Sequence, residues 1–154
     1  MAKQFQFRGD AREQLMQGID LMARTVGVTL GPNGRNVILE QEFGPPQICS
    51  DGVTIAKEIE LEEPFPNMGA QLLKEAASKT NDDVGDGTTT STILAQGILK
   101  NGFKNIAAGA DPMELKKGID KAVDLMKEEL QNMSQAVTDD QQINQVAILS
   151  AHDE

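Results

Sequence analysis

The sequence contains few aromatic residues, a single cysteine and a single histidine. Of its 154 residues only 3% are aromatic, with neither Trp nor Tyr, so a core must be built from Leu, Ile, Val, Met and Ala, which suits packed helices. Cys49 has no second cysteine for an internal disulfide, and this fits a reducing compartment such as the cytoplasm. Since His152 is the only histidine, neither a catalytic Cys–His pair nor a zinc site is expected.

Basic charge is also scarce. Asp and Glu number 24 against 14 Lys and Arg, giving a formal charge of −10. This balance argues against nucleic acid and anionic membranes as partners, because both would repel the chain. No apolar run reaches the roughly 18 residues of a membrane-spanning helix, and the N-terminus lacks the apolar segment of a secretion signal. A nucleotide held with Mg²⁺ in a local pocket is still compatible with this composition.

Apolar spacing predicts a mainly α protein with a small β-hairpin and an N-terminal strand. The strands are predicted at residues 3–7, 37–40 and 48–49. The helices are predicted over residues 10–26, 53–58, 68–80, 88–101, 112–130 and 138–154. Apart from the pairing within the hairpin, the strands have no evident partners, so we expect further pairing with another subunit. The abrupt end of the chain suggests the front part of a longer protein.

Several local signals refine these predictions. Capping boxes are predicted at residues 10–13, 111–114 and 138–141, and the third of them would make Thr138 the cap. Gly97 is a candidate for a close helix crossing. The acidic run around Pro64 and Pro66 is interpreted as a solvated connection.

The richest stretch is Gly-Asp-Gly-Thr-Thr-Thr at residues 85–90. Glycines allow a tight turn, and Thr88 or a neighbour could cap the following helix, whose free N–H groups suit a phosphate. Asp86 would repel a bare phosphate, but it fits a Mg²⁺ ion shared with a nucleotide. The residues alone leave two interpretations open, a Mg-nucleotide site and a plain turn with a threonine cap.

A second glycine-rich turn follows the first predicted helix. Residues 29–36 contain Gly31, Pro32 and Gly34, which make a tight turn with exposed backbone N–H groups. A phosphate or a ribose could approach here. A simple helix-to-strand turn is the alternative.

Four stretches resemble the group I chaperonins, the GroEL family. They are Thr-Leu-Gly-Pro-Asn-Gly-Arg-Asn-Val at 29–37, Asp-Gly-Val-Thr-Ile-Ala-Lys-Glu-Ile at 51–59, the run 69–96, and Ala-Asp-Pro-Met-Glu-Leu-Lys-Lys-Gly-Ile-Asp-Lys-Ala at 110–122. The resemblance covers essentially the whole chain in order. It implies that residues 1–132 form the N-terminal half of a helical equatorial domain, which binds ATP, and that 133–154 begin an intermediate domain. The apical domain and the C-terminal equatorial half would be absent.

The resemblance also implies roles for single residues. Thr29, Leu30, Gly31 and Pro32 would line the nucleotide. Asp86 would coordinate Mg²⁺, and Asp51 would face the phosphates, with a possible assisting role in hydrolysis. The phosphate oxygens would be bound at the start of the helix predicted over residues 88–101, by Gly87, Thr88, Thr89 and Thr90.

At the level of the whole protein, the resemblance implies an ATP-dependent chaperonin that refolds client proteins. The family forms double heptameric rings and works with a cochaperonin. Its catalytic aspartate would lie outside these residues, so hydrolysis by this chain alone is expected to be negligible. Ser50 stands where the family usually has Lys, and Asn33 replaces another common Lys. The competing interpretation is a truncated or degenerate helical module that self-associates without catalysis.

Overall fold

The computed structural model describes residues 3–41 and 43–151, with side chains up to residue 149 at the C-terminal end. In chain order the elements are α1 (Arg8–Gly27), β1 (Val37–Leu39), β2 (Gln47–Cys49), α2 (Gly52–Glu58), α3 (Pro64–Val84), α4 (Thr88–Ala107), α5 (Pro112–Met133) and α6 (Asp140–Ala151). The prediction of a mainly helical chain with a small hairpin is confirmed. In the part of the chain described, no helix has both the length and the apolar character needed to cross a membrane.

The chain folds as two compact units, Met1–Ala110 and Asp111–Glu154. The first unit holds α1 to α4 and the hairpin, and the second holds α5 and α6. The predicted domain boundary between residues 132 and 133 stays a prediction.

The centre of the first unit is the crossing of α1 and α3. Ile19, Met22 and Val26 of α1 are fully buried together with Leu73 of α3. Each such side chain contributes about 1.5–3 kcal/mol when it is removed from water. Apolar spacing predicts a stripe of Leu15, Ile19, Met22 and Val26 on α1, and the last three of these are in the core.

Two glycines allow the backbones of these helices to touch. A Cβ atom at Gly18 would overlap the carbonyl oxygen of Pro66, and one at Gly69 would overlap that of Leu15. The predicted crossing at Gly97 is wrong, since a Cβ atom there would meet nothing within 4 Å. Sequence spacing did not reveal which helix faces lie opposite each other.

Helix α4 completes the packing of the first unit. Ala95, Leu99 and Phe103 of α4 pack against the core, and Gln96 donates to Asp20 of α1 at 2.5 Å. Apolar spacing in the sequence predicts a stripe of Ile93, Leu94, Gly97 and Ile98, but Leu94 and Ile98 are exposed. The buried stripe is therefore rotated by about one position from the predicted one.

The hairpin follows the prediction. Strands β1 and β2 are antiparallel, with Ile38 opposite Ile48. Leu39 and Cys49 are buried in the core, whereas Ile38 and Ile48 lie exposed on the opposite face. This alternation is expected of a two-stranded sheet with one covered face.

The predicted strand at residues 3–7 is wrong. Within the described residues this segment has no strand, and α1 begins at Arg8 with Phe7 as its N-cap. Asp10 lies in the first turn and does not cap the helix. A strand needs a neighbour to accept its backbone hydrogen bonds, and the sheet in the described part consists of β1 and β2.

Helix α3 is longer than predicted at both ends. It begins at Pro64 and ends at Val84, so residues interpreted as a solvated connection form its first turn. Proline fits there because the first N–H groups of a helix have no acceptor in any case. Gly85 terminates the helix in a left-handed conformation.

The second unit confirms one capping prediction and shifts another. Asp111 accepts from the backbone N–H groups of Met113 and Glu114, as predicted for the start of α5. At α6 the cap is Asp139 instead of Thr138, because its carboxylate accepts from the Gln142 N–H at 2.7 Å. The side chain of Gln142 in turn accepts from the Thr138 N–H.

Candidate functional site

The turn between α3 and α4 requires glycine at two positions. Gly85 has φ +79° and Gly87 has φ +77°, values that other residues rarely adopt. Asp86 lies between them and is exposed, and its Oδ1 accepts from the Gly87 N–H at 2.6 Å. The turn thus presents one carboxylate at the start of α4.

The N-terminus of α4 has no side-chain cap. Gly87 is the N-cap, and the first backbone bond of the helix runs from the Ser91 N–H to the Gly87 carbonyl. The N–H groups of Thr88, Thr89 and Thr90 therefore have no acceptor within the helix. Together with the helix dipole they form a positive end that suits an anion.

The cap of α4 was expected at Thr88 or a neighbour; it is the neighbour Gly87, and Thr88 lies inside the helix. Thr88 is only 7% exposed, and its carbonyl accepts from the hydroxyls of Ser91 and Thr92. A glycine occupies the cap position because the preceding turn needs a positive φ there, which a threonine would resist.

The loop after α1 reaches this helix start. The Thr29 hydroxyl donates to the Val26 carbonyl at 2.8 Å and lies 3.3 Å from the Thr89 hydroxyl oxygen. Since a hydroxyl has one proton, Thr89 is the donor of this second bond. Gly31 has φ +78°, and its carbonyl accepts from the Gly34 N–H, which closes the loop.

The start of α2 approaches the same point. Asp51 caps α2, with Oδ2 accepting from the backbone N–H of Thr54 at 2.9 Å and from its hydroxyl at 2.6 Å. A Cβ atom at Gly52 would lie 3.0 Å from Thr88 Oγ1 and from Thr89 N, and would overlap Thr89 Oγ1. Only glycine lets the two helix starts come this close. Sequence reasoning missed this role of Gly52, although an Asp-Gly pair opening a helix was a visible signal.

Three segments distant in sequence therefore meet at the start of α4. The structure brings together Thr29, Gly52 and the pair Thr88 and Thr89. Asp51 precedes Gly52 in the chain, and its side chain contacts Thr54. The remaining predicted site residues lie on the same three segments and make no side-chain hydrogen bond between segments in the described part: Leu30, Gly31, Pro32, Asp86, Gly87 and Thr90. Among the described residues no group of three or more His, Cys, Asp or Glu side chains is placed to hold a metal by itself.

Comparison with known proteins supplies the family context. The model of the TCP-1/cpn60 chaperonin family matches residues 22–153. Among solved structures, the chain is similar to that described as "Crystal structure of group III chaperonin in the open state", with 25% identity and a TM-score of 0.71. The match covers 84% of this chain and 26% of that one, so the chain spans about a quarter of its relative's length.

Proposed function

Because the chain belongs to the TCP-1/cpn60 chaperonin family, we propose that it carries the Mg-nucleotide site of an ATP-dependent protein-folding chaperonin. The observation that carries this proposal is the uncapped start of α4, on which the loop after α1 and the start of α2 converge. This convergence favours a binding site over the alternative of a plain turn, since a plain turn needs no partner segments.

The residues fit a nucleotide that is bound together with Mg²⁺. The free N–H groups at Thr88, Thr89 and Thr90 would bind phosphate oxygens. Asp86 would hold Mg²⁺ through Oδ2, while its Oδ1 keeps the Gly87 N–H. A single protein carboxylate is enough, because Mg²⁺ takes its other ligands from phosphates and water. When bound, the ion neutralises phosphate charge beside an otherwise acidic turn.

The other two segments would shape the site. The loop of Thr29, Leu30, Gly31 and Pro32 would line the nucleotide beside the phosphates. Asp51 would face the phosphates from the start of α2, although its Oδ2 already accepts two hydrogen bonds from Thr54. We therefore assign Asp51 mainly to shaping α2, with any assisting role in hydrolysis left to Oδ1.

We further propose the group I branch, from the motifs at 29–37, 51–59 and 110–122. The larger protein would then assemble as a homo-oligomeric double heptameric ring that refolds client proteins with a cochaperonin. Since the similar solved structure is a group III chaperonin, the assignment to group I rests on these motifs alone.

Calorimetric titration with MgATP and MgADP tests the nucleotide site. We expect weak but measurable binding that requires Mg²⁺. Asp86→Asn should lower the affinity about tenfold or more, because interactions with charged groups contribute about 1.5–3 kcal/mol. Asp83→Asn is the matched control, since it removes the same charge from the exposed last turn of α3. Equal losses in both variants, or no binding by the unaltered chain, would contradict the proposal.

One observation favours the second candidate, a self-associating helical module. No residue of α5 is buried, and the exposed side chains along it include Leu125, Met126 and Leu130. Apolar surface of this kind promotes association. Analytical ultracentrifugation should show self-association that weakens in Leu125→Lys/Leu130→Lys. A monomer at all concentrations would exclude this candidate.

A further inference from the structure

Helix α2 links the proposed site to the body of the first unit. Its seven residues span about 10 Å, which is too short for a helix to be stable on its own. At one end Gly52, which follows the cap residue Asp51, lies against the start of α4. What holds the other end of α2 therefore affects the geometry of the site.

The C-terminal end of α2 lacks the usual termination. Its C-cap residue Ile59 is extended, and no glycine in a left-handed conformation closes the last turn. The carbonyls of the last turn need other donors. One of them, the carbonyl of Lys57, accepts a hydrogen bond from Lys74 Nζ at 2.5 Å.

Lys74 is well placed to act as this cap. It follows Leu73, which is almost fully buried in the core, so its backbone is fixed by the packing of α3. An ammonium donor gives a charge-assisted bond and also interacts favourably with the negative end of the α2 dipole.

A second contact from α3 supports the same end. The Asn67 side-chain oxygen accepts from the Leu61 N–H at 3.0 Å, which attaches the segment leaving α2 to the first turns of α3. Burial of Val53, Ile55 and Ala56 holds one face of α2, but apolar contacts are not directional and do not fix its last turn.

We propose that Lys74 is a positioning residue for the nucleotide site. By capping the C-terminal end of α2, it holds Gly52 against Thr88 and Thr89, so the start of α4 keeps its geometry. This inference rests on the proposed function. It assigns to α3 a role that none of the sequence motifs indicated.

The test compares Lys74→Met with Lys74→Arg and Lys104→Met in the whole chain. Lys74→Met should weaken MgADP binding about two- to tenfold, the effect of losing one hydrogen bond. Lys74→Arg retains a cationic donor and should restore binding. Lys104 lies in the last turn of α4, about 24 Å along that helix from Thr88, so Lys104→Met removes the same charge far from the site.

Hydrogen exchange provides the second measurement. In Lys74→Met the amides of α2 and of residues 91–93, the first hydrogen-bonded amides of α4, should exchange faster, while those of α5 should not change. The inference is overturned if the MgADP affinity of Lys74→Met equals that of the unaltered chain, or if Lys104→Met loses as much MgADP affinity as Lys74→Met.

The two proposals can fail separately. If the unaltered chain does not bind MgADP, the proposed function is wrong, and exchange then decides the role of Lys74. Faster exchange in Lys74→Met at residues 91–93, whose amides are hydrogen-bonded within α4, would support positioning of the α4 start. Unchanged exchange at the start of α4 would overturn the proposed role of Lys74.

Discussion

The two units of the molecule use similar local signals with opposite results. Helix α3 in the first unit buries Ala70, Leu73 and Ala77. Helix α5 in the second unit is of similar length, has a strong aspartate cap and a regular apolar stripe, and buries no residue. The difference shows that caps and periodicity specify a helix, whereas burial also requires a second surface to cover the stripe.

The largest difference in stability between the two units is expected when a leucine in each is truncated to alanine. Leu73→Ala should destabilise the first unit by about 2–5 kcal/mol, because it leaves a cavity in a packed core. Leu130→Ala removes the same atoms from a side chain that is 64% exposed, and it should change the free energy of unfolding by less than about 0.5 kcal/mol. Urea denaturation followed by circular dichroism measures both. Equal losses would mean that α5 is covered in solution.

The next largest effect comes from replacing one glycine in each unit, which should change the stability of the two units in opposite directions. Gly69→Ala should destabilise by about 1–3 kcal/mol, since the new methyl group would overlap the backbone of Leu15, which cannot rotate away. Gly118→Ala in α5 meets open space and should stabilise that helix by about 0.5–1 kcal/mol. Thermal and urea unfolding of the two variants should shift in opposite directions.

Removing each of the two aspartate caps should separate the effect on helix stability from the effect on nucleotide affinity. Asp51→Ala and Asp111→Ala each remove an N-cap and should each cost about 0.5–2 kcal/mol of local helix stability. Hydrogen exchange of the α2 and α5 amides measures that loss. Only Asp51→Ala should also reduce MgADP affinity in calorimetry. Reduced affinity in Asp111→Ala would show that the second unit contributes to the site.

The smallest effect concerns the hydrogen bond between the first loop and α4. Thr89→Val should cost about 0.5–1.5 kcal/mol, because the Thr29 oxygen loses its donor while the shape of the side chain is kept. The control in the second unit is Ser134→Ala, which removes an exposed hydroxyl bond and should have little effect. If both variants unfold like the unaltered chain, the contact between Thr29 and Thr89 does not hold the segments together.

The turn and the helix caps could be predicted from the sequence where their signals are local. The positive φ of Gly85 and Gly87 confirms the tight turn expected from Gly-Asp-Gly, and Asp111 caps α5 as predicted. Local signals failed where two residues compete for one role. At α4 the cap expected at Thr88 or a neighbour is Gly87, because the preceding turn needs a positive φ there, and at α6 Asp139 caps instead of Thr138.

Residues 3–7 illustrate another kind of failure. Their alternating pattern is typical of a strand, yet they form none, because a strand depends on a partner that no local pattern supplies.

By itself the sequence determined most of the helices, the hairpin and the Gly-Asp-Gly turn, because propensity, capping and turn chemistry act over a few residues. The other residues of the candidate site were assigned from the family resemblance. Only the tertiary structure decided which of these elements meet. It placed Gly18 and Gly69 at the helix crossing, brought Thr29 and Gly52 to the start of α4, and set Lys74 on the end of α2. Contacts between residues far apart in sequence depend on the packing of whole helices, which apolar spacing on each helix does not specify.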